Sequence, residues 1–353
     1  MTSGWQTVLP WCFFTFAFAR VVFTGPRIGP EGAYRFLKQI PIGGEGGWDY
    51  LAVDGEARRL YVSHATRVVV IDLDKENVVG EIADTPGVHG FALAPDLGLG
   101  FSSNGRESKA SIVDLKTLKT VSKVDTGENP DAILYVPGRH EVYTFNGRGR
   151  SATVFEARSG KLVTTISLPG KPEFAVLDEK AGRIYNNIED KSQVVAIDTK
   201  EHNIVSTWPI APGEEASGMA IDLEHHWLFL GCSNKLMLMM DGATSKVLAT
   251  VPIGAGVDAN AYDPATRLAF SSTGEGTVTI ALEGPSSNLT VVQTLATAKG
   301  SRTMALDPKT HHIYLSAADF EQPETPPPGA SRQRPKIVPG SFKVLVFGSD
   351  VEK

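Results

Sequence analysis

The chain has 353 residues, of which 42% are hydrophobic and 21% charged, so it is neither a disordered solvating tail nor a membrane bundle and can build a large core. Its 35 glycines and 22 prolines show no Gly-X-Y period, which excludes collagen and fits short strands joined by tight turns. With 34 basic against 40 acidic residues the net charge is −6, nothing in the charge balance favours a phosphate backbone, and no nucleic-acid partner is expected.

The first segment, MTSGWQTVLPWCFFTFAFAR, is apolar from Val8 to Ala19, too short to span a bilayer, and ends in the small-x-small run Ala17-Phe18-Ala19. It is read as a secretory leader over residues 1–19 followed by a link over 20–32. A periplasmic or secreted protein with no stable membrane span after cleavage is the expectation. The missing Lys or Arg ahead of the apolar run fits a leader least well. Cys12 leaves with such a leader, and Cys232, inside the apolar LFLGCSNKLMLMM, is read as a buried inert thiol. Neither cysteine has zinc-ligand spacing.

From Trp48 the chain repeats itself about every 42 residues. Seven segments align: WDYLAVDGEARRLYVSH at Trp48, VHGFALAPDLGLGFSSN at Val88, PDAILYVPGRHEVYTFN at Pro130, PEFAVLDEKAGRIYNNI at Pro172, ASGMAIDLEHHWLFLGC at Ala216, VDANAYDPATRLAFSST at Val257 and SRTMALDPKTHHIYLSA at Ser301. Most read as a strand, a turn and a second strand. A third strand follows as VVVID, ASIVD, ATVFE, VVAID or LMLMMD, closing on Asp72, Asp114, Glu156, Asp198 and Asp241 at spacings of 42, 42, 42 and 43, with Glu283 continuing the series. An acid that opens a tight turn bonds its own backbone two residues on, so these are read as turn formers and not as a carboxylate array. A fourth strand such as NVVGEI or KVLATVPI completes the unit.

Four strands per unit in seven units predict an all-β fold, a seven-bladed β-propeller of four-stranded antiparallel blades in a single domain over residues 33–353. The seventh unit ends with its third strand, KVLVF at Lys343–Phe347, and lacks a fourth. Tyr34–Ile42, YRFLKQIPI, reads like the fourth strands elsewhere and is expected to complete blade seven, closing the ring and removing open sheet edges.

The repeat, carried by LYVSHATRVVVIDLDKENVVGEI and IPIGAGVDANAYDPATRLAF, resembles the YVTN-repeat propellers, and the chain from about Ala33 to Phe347 is similar to the bacterial YncE-like group. The resemblance implies an exported seven-bladed propeller and supplies no catalytic motif to transfer. Unit two departs from the pattern with the short turn APDLGLGF, unit three with VPG, and unit seven with a long insertion.

In such blades the loop entering the innermost strand shares a face with the loop between strands two and three. The repeat register then places Asp49, His89, Asp131, Glu173, Ser217, Asp258 and Arg302 around the mouth of the central channel. Loops are polar for ordinary reasons, but this much charge in a low-dielectric funnel suits a cation, an amine or a metal-bound group. The second loop set offers His64, Asn104, Asn146, Asn187, Asn234 and Thr273, with Arg106, Arg148 and Arg150 nearby. Asparagines at strand ends serve turns, yet Asn oxygens with carboxylates are also ligands Ca²⁺ accepts. Trp48 is either an aromatic platform or a core-edge residue.

Between Ala318 and Phe342, DFEQPETPPPGASRQRPKIVPG is too rich in Pro and charge for a core strand, so residues 319–340 are expected as a long loop at the channel mouth, a lid, a docking arm or a tolerated insertion. His225-His226 and His311-His312 fall in turns on the opposite face and point apart, so no shared metal is expected there. No GxSxG elbow, P-loop, HExxH, EF-hand loop, dinucleotide fingerprint or CxxCH occurs in a supporting context. The leading expectation is a monomeric, exported, non-catalytic propeller that binds a small molecule or protein at the channel mouth. No cofactor is predicted, although Ca²⁺ or another divalent metal would suit the ligand types. The competing readings are a metal-assisted hydrolase of lactonase type and an accessory to quinone- or haem-dependent periplasmic oxidation.

Overall fold

A computed structural model describes residues 1–2, 33–321 and 336–349; the leader and link read from the sequence fall, apart from Met1 and Thr2, outside these residues. The described residues form 28 strands in seven four-stranded sheets, with no α-helix among them. No described helix is long and apolar enough to cross a membrane.

The innermost strands are Trp48–Asp54, Val88–Ala94, Pro130–Val136, Pro172–Asp178, Ala216–Asp222, Val257–Asp263 and Met304–Leu306. In six blades the chain then runs outward through three more antiparallel strands in sequence order. In the seventh, Met304–Leu306, Ile313–Ala317 and Lys343–Gly348 are completed by Arg35–Pro41, which pairs from Arg35 opposite Gly348 to Pro41 opposite Lys343. The ring therefore closes as expected.

Burial follows from this geometry. The two middle strands of a blade are covered by neighbouring blades on both faces, so Arg59–His64 and Arg67–Asp72 are buried almost continuously and rich in β-branched residues. Outermost strands are covered less, and in Asn203–Pro209 exposure alternates residue by residue. The core is divided into seven apolar clusters, one between each pair of adjacent blades; Phe270 and Leu315 sit in one, Val62 and Val346 in another.

Asp72 accepts from the Asp74 and Lys75 amides at 3.0 and 2.8 Å, and Asp114, Glu156, Asp198 and Asp241 hold their own turns the same way. Glu283 departs from the series: it is buried, and binds Tyr262 Oη at 2.5 Å and Arg267 Nη2 at 3.0 Å.

On the face opposite the channel mouth, a residue of one blade latches onto a buried aspartate of the preceding blade. Arg58 reaches Asp307, His311 reaches Asp263 at 2.7 Å, and His226 reaches Asp178. All three donors have left-handed backbone, φ +52°, +60° and +59°, a conformation unfavourable for L residues that aims each side chain back at its neighbour. The paired histidines do point apart, His225 to Asp222 and His226 to Asp178.

Candidate functional site

Six innermost strands share one irregularity: the pairing register slips between Trp48 and Leu51, Val88 and Phe91, Pro130 and Ile133, Pro172 and Ala175, Ala216 and Met219, and Val257 and Ala259. The second residue of each strand falls inside the slip, and a bulge re-aims the side chain it carries. These residues are Asp49, His89, Asp131, Glu173, Ser217 and Asp258. Arg302 occupies the equivalent place two residues ahead of Met304. All seven line a single cavity of about 450 Å³ at the channel mouth.

The position after each ring residue is Tyr50, Gly90, Ala132, Phe174, Gly218, Ala259 or Thr303. Small residues let the inner strands approach: a Cβ on Gly218 would lie 2.8 Å from the Ala259 carbonyl carbon, and one on Gly90 2.9 Å from Ile133. The two aromatic exceptions meet below the ring, Tyr50 of blade one against Phe174 of blade four edge to face at 5.2 Å. Tyr50 forms part of the cavity wall.

Neighbouring blades are clipped together at the ring. Ser103 Oγ donates to the Asp131 carbonyl at 2.5 Å and accepts from the Gly90 amide at 2.8 Å. Asn187 donates to the Ser217 and Gly218 carbonyls at 2.9 and 3.3 Å, and Ser272 to the Arg302 carbonyl at 2.5 Å. Each clip holds the backbone of a ring residue on the next blade.

The side chains are interlinked. His89 Nδ1 lies 2.6 Å from Asp49 Oδ2 and 3.7 Å from Asp131 Oδ1. Arg302 Nε donates to Asp258 at 2.8 Å, and Ser217 Oγ to the same carboxylate at 3.0 Å. Lys171 Nζ lies 2.5 Å from both Glu173 and Glu189. Burial disfavours charge on His89, but the hydrogen bond to Asp49 and the charges of Asp131, Asp49 and Glu173 outweigh it and raise its pKa to about 9. Burial raises Asp131, Glu173 and Asp258 above the ordinary carboxylate range, against the opposing pull of His89, Lys171 and Arg302 respectively, with further raising from neighbouring carboxylates.

Trp48 and the whole second loop set, His64, Asn104, Asn146, Asn187, Asn234 and Thr273 with Arg106, Arg148 and Arg150, are not part of the cavity wall. Trp48 stacks on Phe342 at 5.4 Å and meets Phe320 at 6.2 Å, serving as a core-edge residue under the base of the blade-seven insertion. His64 is fully buried and stacks on Phe342 at 4.1 Å; burial, with the nearby Arg67, lowers its pKa to about 4 and leaves it neutral. Asn146 donates to Ser151 and Thr153 at 3.0 Å within its own blade. Asn187 acts through the clip to Ser217. The insertion's base is pinned by Phe320 bridging Ile337; residues 322–335 lie outside the described residues.

Lys171, Glu189, Glu215, Ser233 and Tyr50 complete the wall with Gly256 and Val257, and escaped sequence reasoning. Glu189 stands two positions beyond Asn187, in the loop that follows the strand ending at Ile188, and faces the cavity. Tyr50 carried a legible signal, an aromatic where most units have Gly, Ala or Thr.

No family model matches the chain. Over 148 residues it is 24% identical to the uncharacterized protein YncE of Salmonella typhi and equally to that of Salmonella typhimurium, a match that spans 40% of this chain and only 42% of each relative. Among solved structures it is similar to hydrazine synthase of Kuenenia stuttgartiensis (16% identity, TM-score 0.67, 76% of this chain and 92% of that one). It is also similar to U3-55K (11%, 0.70, 88% and 98%) and to a chain of the mitotic checkpoint complex (14%, 0.71, 98% and 98%). At these identities the structural likeness concerns the fold alone. The weak similarity to YncE together with the seven-bladed ring fits a YncE-like propeller.

Proposed function

We propose that this propeller is an exported binding protein whose channel mouth takes a small ligand bearing a positive charge, without chemistry of its own. The observation that carries the proposal is the cavity wall, where six carboxyl groups, those of Asp49, Asp131, Glu173, Glu189, Glu215 and Asp258, face three basic groups, those of His89, Lys171 and Arg302. A concave low-dielectric site with that excess focuses negative potential on its contents. Its volume lies within the ordinary range for small-molecule sites. A protein partner would use the same chemistry by inserting a Lys or Arg side chain.

A thermal-shift and calorimetric screen of amines, guanidines and amino acids against the chain tests this. A hit should lose at least tenfold in affinity in both Asp131→Asn and Glu173→Gln. Unchanged affinity in these variants, or a screen in which only anionic compounds bind, would overturn the reading.

A further inference from the structure

We propose that Asp49, His89 and Asp131 form a binding site for one divalent transition-metal ion at the channel mouth, with the Tyr50 hydroxyl facing the same space. This rests on the cationic-ligand reading and names an ion as one occupant.

One carboxylate oxygen from Asp49, one from Asp131 and Nδ1 of His89 all lie within 4.8 Å of one another. Donors bound to one ion at about 2.0–2.2 Å stand roughly that far apart or closer, so small side-chain rotations suffice. Three consecutive blades supply the three ligands, and two of them, His89 and Asp131, are held from behind. Ser103 ties the Asp131 carbonyl to the Gly90 amide and thereby sets the spacing between the Asp131 and His89 positions. The imidazole packs against Gly105, where a Cβ would lie 2.6 Å from Nε2, and this packing turns Nδ1 toward the two carboxylates. An imidazole with two carboxylates suits Zn²⁺, Mn²⁺, Fe²⁺ or Ni²⁺ better than Ca²⁺, which takes oxygen donors in larger number.

A second and independent observation comes from Tyr50. It is 7% exposed, it lines the cavity, and its hydroxyl has no hydrogen-bond partner among the described residues. The hydroxyl keeps access to the cavity, where it is available to an atom of a bound species, such as water on the ion or a polar group of a second ligand. The other cluster of this kind, Asp222, His225 and Glu283, is weaker: Glu283 already binds Tyr262 and Arg267, Asp222 holds the Glu224 amide, and His225 stacks on Trp227 at 4.5 Å.

The test is calorimetry and metal analysis after dialysis on the tag-free chain, with Zn²⁺, Ni²⁺, Mn²⁺ and Ca²⁺ as separate probes. One equivalent of Zn²⁺ or Ni²⁺ should bind more tightly than Ca²⁺. His89→Ala and the near-isosteric Asp49→Asn should each weaken it at least tenfold, with far-ultraviolet circular dichroism confirming the fold, while His225→Ala leaves it intact. Absence of stoichiometric binding overturns the proposal, as does equal binding in His89→Ala or loss of binding in His225→Ala. In those cases an amine or guanidine that binds and is lost in Glu173→Gln keeps the cationic-ligand reading; if none binds, that reading fails as well.

Discussion

Arg58 of blade one donates to Asp307 of blade seven at 2.6 Å, joining the first complete unit to the last across the closure of the ring. Asp307 is fully buried, whereas Arg58 is only partly buried and also reaches the exposed Asp74. Removing Arg58 leaves Asp307 with the Lys309 amide and Thr310 hydroxyl to offset its charge, a loss of about 1–3 kcal/mol. Arg58→Ala is expected to lower the melting temperature accordingly, and adding Asp307→Asn should recover part of the loss. A double mutant no more stable than Arg58→Ala alone would show that the pair is not what holds the seam.

The ring carboxyls set the proposed binding role against stability. For Asp131 and Glu173 the folded pKa is raised above the unfolded value, so the folded protein holds protons that the unfolded chain releases. Stability from these groups is greatest below the ordinary carboxylate range and declines as pH rises toward neutrality and slightly beyond. Glu173→Gln should therefore melt higher than the parent at pH 7–8, by roughly 2–6 °C for one to two kcal/mol in a chain of this size. The difference should shrink at pH 5. A variant that melts lower at pH 7.5 would mean that the Lys171 ion pair outweighs burial.

The turn acids behave in the opposite sense. Asp114 is held below the ordinary carboxylate range chiefly by the Thr117 amide, Glu156 by Ser159, and Asp198 by the Glu201 amide. Their contribution is complete above the unfolded pKa and is lost as pH falls through the lowered folded values. Replacing Asp114 and Asp198 by Ala should lower the melting temperature at pH 6, and the gap to the parent should close as pH falls well below the ordinary carboxylate range. A gap independent of pH would assign the loss to something other than the carboxylates.

Cys232 is fully buried, and burial pushes its thiol up to about 12. A thiol reagent at pH 8 should leave it unmodified in the native protein and label it fully in denaturant. Labelling at a rate that follows denaturant concentration below the melting transition would reveal local opening of blade five.

The fold was legible because four apolar strands and a turn acid recur at nearly constant spacing, and only a closed ring satisfies the strand at Tyr34–Ile42. The seven ring positions were equally legible, since a repeated bulge puts equivalent residues in equivalent places. Glu189 and Ser233 were not, because loops between the second and third strands differ in length and in which residue faces inward, and Lys171 and Glu215 were not, because they stand just ahead of the inner strands, outside the repeated bulge. Asn146 and Asn187 have the chemistry of ligands, yet one bonds within its blade and the other to the next blade's backbone. His64 and Trp48 were hidden by a partner far away in sequence, Phe342, which follows the insertion.

Ser103, Asn187 and Ser272 grip ring residues by their main-chain carbonyls and leave the side chains unheld. The scaffold therefore separates where a mouth residue stands from what it is. Asp131, Ser217 or Arg302 can be exchanged for another residue type while its backbone anchor persists, so under the proposed binding role the preference of the mouth can drift through single substitutions without a new arrangement of strands.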